Sequence, residues 1–158
     1  MKKQIITPAI FSLILVGLLL IPLDGTVNNT FAFFVGRFHP IILHLPIGGL
    51  VALFVMEIIN SYRPKLNLDS ACSILLWFSV ATVIPSAILG FILASSGNYD
   101  DELLKLHKWL GWLTALVCVW LLYFKLKSKK TYKVLLYTNV IFLLVAGHFG
   151  GQLTHGKD

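Results

Sequence analysis

Charge is what this chain has least of. Only 13% of its 158 residues are charged against 57% hydrophobic, and seven acids face thirteen lysines and arginines. So little charge excludes a soluble core with a wetted surface, and a mean hydropathy of +0.82 places the chain in a membrane. Cysteine is almost missing. Cys72 lies near the end of one apolar run and Cys118 in the middle of another, so the two do not read as a disulfide. No C-x-x-C-H is present, which excludes a haem held by thioethers, and G-x-S-x-G, P-loop and H-E-x-x-H patterns are absent as well. The net charge of +6 would suit nucleic acid, but the lysines stand at the ends of apolar runs, where they act as topology signals. Nucleic acid is not an expected partner.

Long apolar runs are what the sequence has instead. Five of them, 5–23, 38–61, 70–94, 106–124 and 133–150, approach or exceed the roughly 20 helical residues that cross a hydrocarbon core of about 30 Å. Continuous apolar stretches without alternation exclude a barrel, so the predicted fold is all-α: five transmembrane helices, a four-helix bundle over 38–150 and an N-terminal helix packed outside it. The chain is read as a single membrane domain, 1–158, with a short tail at 151–158. The first run is long for a signal peptide and no small-x-small cleavage site follows it, so it is read as a retained helix.

The basic residues predict orientation. Lys2, Lys3, Arg63, Lys65, Lys125, Lys127, Lys129, Lys130 and Lys133 fall on one side; Arg37, Lys105, Lys108 and Lys157 fall on the other. The positive-inside rule makes the first side cytoplasmic, with the N-terminus inside and the C-terminus at the periplasmic face of a bacterial inner membrane. Glu57 lies toward the cytoplasmic end of its helix and is expected to snorkel or to pair with Arg63. In the stretch SSGNYDDELL, Asp100 or Asp101 is expected to cap a helix.

All five histidines, His39, His44, His107, His148 and His155, then fall at the periplasmic side. At 1.5 Å per residue His44 lies about 9 Å inside its helix, and His148 lies about 22 Å above Lys133, a matching depth. His107 is shallower, beside Trp109 and Trp112 in an aromatic belt. At 100° per residue His107 shares a small-residue face with Gly111, Thr114 and Cys118, away from Lys105, Lys108 and Trp112. His44 shares its face with Gly48, Val51 and Val55, and His148 is flanked by Gly147, Gly150 and Gly151, where a planar group or a helix can approach the backbone. His39 and His44 point about 140° apart and do not serve one ligand plane. Pro46 removes a backbone donor and crowds the Ile42 carbonyl.

Ionisable groups converging inside a membrane mark a ligand or a pathway. Imidazoles on facing helices around an apolar slot are what a non-covalent b-type haem needs. The expected axial ligands are drawn from His44, His107 and His148, with His39 and His155 in reserve and allowing a second haem. A copper or zinc ion, held or transported, and histidines that serve structure alone in a non-redox anchor or assembly subunit, are the alternatives.

Three stretches, GRFHPIILHLPIG, NYDDELLKLHKWLG and GHFGGQLTHG, resemble the signature segments of a bacterial membrane-domain family of unknown function that occurs beside or fused to periplasmic c-type cytochrome domains in planctomycetes and Bacteroidetes. The resemblance runs from about Gly36 to Gly156, includes His155, and implies a multi-helix membrane domain working near a c-type cytochrome or other membrane redox subunits. The resulting expectation is a lipid-embedded electron-transfer subunit with histidine-ligated b haem near the periplasmic face, an electron carrier more than a stand-alone enzyme.

Overall fold

The computed structural model describes residues 2–20, 30–96 and 101–155, and only the backbone of residues 2–4, 96, 101 and 155. The described residues form six helices and no strand: α1 Lys2–Leu19, α2 Thr30–Gly36, α3 His39–Tyr62, α4 Asp69–Ser96, α5 Asp101–Lys127 and α6 Lys129–His155. Four segments, α2–α3 taken together, α4, α5 and α6, are long and apolar enough to cross a membrane. The protein is therefore an all-α membrane protein in contact with the bilayer, as its hydropathy predicts. With 18 residues α1 reaches only about 27 Å. The remainder of the first expected run, 21–23, and the expected Asp100 or Asp101 cap lie outside the described residues and side chains.

Helix α2 was not anticipated. Its FAFFV run lies outside the predicted spans, and the helix ends at Gly36. A β-carbon there would stand 2.8 Å from the Leu93 backbone, so only glycine lets the end of α2 lie against α4.

Short joints build two hairpins. Between α3 and α4 the chain reverses through a 3₁₀ turn, Pro64–Leu66, and Asn67, whose φ of 48° is left-handed. Asn60 fastens this turn by accepting from Leu68 N–H and donating to Asp69. Between α5 and α6 Ser128 is the joint, and its Oγ accepts the Thr131 N–H as an N-cap. The hairpins α3–α4 and α5–α6 join along α4 and α5, and α1 lies outside against α5 and α4. Two indoles fasten α1: Trp112 Nε1 donates to the Leu15 carbonyl at 2.9 Å and Trp120 Nε1 to Ser12 Oγ at 3.1 Å. Trp112, expected in an interfacial belt, is thus a helix-packing residue, whereas Trp109 remains exposed.

Midway along the bundle a layer of Leu50, Leu53, Leu76, Val80, Val119, Leu121 and Leu136 is sealed from the exterior. It divides the interior into two polar ends.

Candidate functional site

On α3 the residues facing inward are His39, Pro46, Leu50, Leu53 and Glu57. His39 and Glu57 are eighteen residues apart, five full turns, and so lie on one line. On α5 the same spacing separates His107 from Lys125, with Thr114, Cys118 and Leu121 buried between. Across the bundle interior these two stripes oppose each other, and His39 and His107 meet edge to face at one end. Their ring centroids are 6.3 Å apart and their planes inclined at 74°.

Each ring is held in the same way. His39 Nδ1 donates to the Ser86 carbonyl on α4 at 2.8 Å, and His107 Nδ1 donates to the Ala146 carbonyl on α6 at 2.9 Å. A carbonyl only accepts, so Nδ1 carries a proton in both rings; a neutral ring then has its lone pair on Nε2, the tautomer of a metal-ligating histidine with an oriented second nitrogen. Four residues beyond each carbonyl stands a glycine on which the ring lies. A β-carbon at Gly90 would come within 2.9 Å of His39 Cε1, and one at Gly150 within 2.8 Å of His107 Cε1. The two hairpins thus carry one device twice, a histidine seated over a small-x-x-x-Gly step of its neighbouring helix.

The pair opens on a cavity of about 560 Å³ formed by α3, α4, α5 and α6, within the range of about 300–1,000 Å³ usual for small-molecule and cofactor sites. Its walls are chiefly apolar. Among the described residues Lys108 is the one lining residue with a permanent charge, and the hydroxyls of Ser86 and Thr114, which have no partner among those residues, border it. Gly111, Gly147 and Gly151 also line it, and a β-carbon on any of them would meet nothing within 4 Å. Helix packing does not demand glycine there; the open backbone leaves room for a bulky occupant.

The other candidates lie elsewhere. His44 is exposed on the outer side of α3 with Gly48, Val51 and Val55, the face expected to point inward, and borders the cavity only at its rim, its Nδ1 donating to the Pro40 carbonyl. His148 is exposed on the outer stripe of α6 beside Leu144 and Val145, against the expectation of a converging ligand, and its Nε2 lies 3.3 Å from Gln152 Nε2. The side chain of His155, at the end of α6, lies outside the described residues. Lys108, expected to point away from the face of His107, lines the cavity. In a bilayer both faces of a helix are apolar, so glycine beside histidine does not separate inside from lipid. The signal that does is the five-turn spacing from His39 to Glu57, because two polar residues in register share the interior.

At the opposite end Glu57 is buried, 4% exposed, and does not pair with Arg63 as expected. Its Oε1 accepts from Lys125 Nζ at 3.1 Å and from Tyr132 O–H at 2.9 Å, with Cys72 beside it and the ammonium 5.0 Å from the Tyr132 ring. Cys72 and Cys118 are both free and buried. Among the described residues no group of three His, Cys, Asp or Glu is placed to hold a metal ion. No protein-family model matches the chain, and neither a curated protein nor a solved structure is significantly similar to it.

Proposed function

We propose that this protein is a membrane electron-transfer subunit that holds one b-type haem between His39 and His107. The observation that carries this reading is the facing pair of imidazoles with both Nδ1 protons tied to helix carbonyls. Their ring centroids stand 6.3 Å apart, and both imidazoles border the same cavity. Among the described residues no third His, Cys, Asp or Glu completes a metal site with them, which favours a group that would bring nitrogen donors of its own.

Within this reading Ser86 O and Ala146 O orient the two ligands, and Gly90 and Gly150 let the rings lie against the neighbouring backbones. Gly111, Gly147 and Gly151 clear the walls, while Lys108 offers a cation to an acidic substituent. When bound, the haem would supply one-electron chemistry.

The lysine-rich end is proposed as cytoplasmic, which sets the histidine pair near the outer face of a bacterial inner membrane, within reach of a periplasmic c-type cytochrome or a membrane redox subunit. A detergent-purified protein from haem-replete cells should be red, with low-spin bands on dithionite reduction. Colourless protein would overturn the reading in favour of a non-redox anchor whose histidines are structural.

A further inference from the structure

The two hairpins do not close evenly. Among the described residues the polar and ring contacts between α3 and α6 fall toward the lysine-rich end: Phe54 with Tyr137 at 5.2 Å, Glu57 with Tyr132 and Ser61 with Lys133. Toward the histidine end the cavity takes their place, bordered by His44 on α3 and by Gly147 on α6. Both of these residues are also exposed at the outer surface of the bundle. The cavity therefore opens sideways between α3 and α6, where the exposed neighbours of His44 are the apolar Ile41, Leu45, Val51 and Val55 of a candidate membrane span.

At the opening stands one hydrogen-bonding group with an unused valence. Because His44 Nδ1 donates to the Pro40 carbonyl, the free atom is Nε2, which accepts in the neutral ring, and it has no partner among the described residues. An acceptor facing lipid is expensive to leave bare, and lipid tails offer no donor. The natural occupant is membrane-soluble, largely apolar and planar, carries an O–H, and benefits from lying beside a redox centre. Gly48, one turn further along and on the same face, has nothing within 4 Å of the position its β-carbon would take, so the surface beneath His44 is flat backbone.

We propose that a lipid-soluble hydroquinone docks in this lateral opening, with one hydroxyl donating to His44 Nε2, and reduces the haem proposed above, on which this inference rests. The O–H bond breaks with its proton passing to His44 Nε2 and one electron passing to the oxidised haem. A one-electron carrier at the outer face then reoxidises the haem, His44 releases its proton, and the second hydrogen leaves in the same way. Two protons and two electrons are removed in all, and the hydroquinone becomes the quinone.

The test uses the full-length purified protein with its haem. Dithionite first measures the haem; a short-tailed hydroquinone is then mixed with the oxidised protein and haem reduction is followed by stopped flow. Wild type should show saturable reduction. His44→Gln should keep full haem content and slow the limiting rate about a hundredfold, the scale of a lost general base. Gly48→Leu should raise the half-saturating hydroquinone concentration with little change in the limiting rate. Haem that dithionite reduces but hydroquinone does not, or a His44→Gln protein as fast as wild type, overturns this inference while leaving the haem reading intact. Protein that carries no haem overturns both.

Discussion

The imidazole of His107 lies over Gly150 so closely that a β-carbon there would stand 2.8 Å from its Cε1, and His39 lies over Gly90 in the same manner at 2.9 Å. Side chains do not tolerate such approaches, so alanine at either position must push the ring off the carbonyl that orients it. Gly90→Ala and Gly150→Ala are each expected to lower haem content or convert a low-spin spectrum to a high-spin one. Gly17→Ala, with nothing near its β-carbon, should leave the spectrum unchanged and add up to about 1 kcal/mol through helix propensity. Absorption spectra at matched protein concentration distinguish the three.

The facing pair ranks the histidines. His39→Ala and His107→Ala should each abolish haem binding, because either leaves one ligand above an apolar cavity. His148→Ala, on the lipid side of α6, should retain it. One pair corresponds to one haem per chain, and a pyridine haemochrome assay against protein concentration checks the ratio; two haems per chain would require ligands this pairing does not supply.

Glu57 and Lys125 form a buried ion pair with side chains 5% and 17% exposed. Removing one partner strands the other charge in the bundle, so Lys125→Met should destabilise the protein by about 3–5 kcal/mol. Changing both, Glu57→Leu with Lys125→Met, should recover most of that loss. Tyr132→Phe removes one hydrogen bond to the carboxylate and should cost about 1.5–3 kcal/mol. Thermal unfolding in detergent measures all three, and haem content below the transition should not change, since the sealed leucine layer lies between the two ends.

Sidedness rests on the lysines. A reporter fused after Asp158 should be active only outside the cytoplasm. Replacing the lysines of the α5–α6 joint, Lys127, Lys129 and Lys130, with glutamine should weaken that preference, as read by the ratio of periplasmic to cytoplasmic reporter activity.

Much of the fold was legible because the bilayer imposes one rule on every residue of a span. A run of about 20 apolar residues must be a helix to satisfy its backbone, so α3 to α6 could be read from hydropathy with only their ends adjusted. Helix α2 escaped because the run that forms it is short and its seat on α4 depends on Gly36 meeting Leu93, a contact made far along the chain. The site was partly legible: His107 with Gly111, Thr114 and Cys118 lies on an inward face as its spacing implies, and Thr114 and Cys118 are buried. The outward facing of His44 and His148 was not legible because adjacent glycines suggest close packing, whereas Gly48, Gly147 and Gly151 have nothing near them.

What the sequence by itself determined is the number and place of the long helices, the gathering of histidines at one end and lysines at the other, and the absence of any soluble-enzyme motif. These follow from hydropathy and from 1.5 Å of rise per residue, which are local. Only the tertiary structure decided that His39, not His44, meets His107, that Lys125 and not Arg63 neutralises Glu57, and that α3 and α6 part to leave a lateral opening. In lipid no hydrophobic gradient tells a helix which side is inside; that choice is made by close contact of small residues and by polar partners finding one another across helices, neither of which is a property of any single segment.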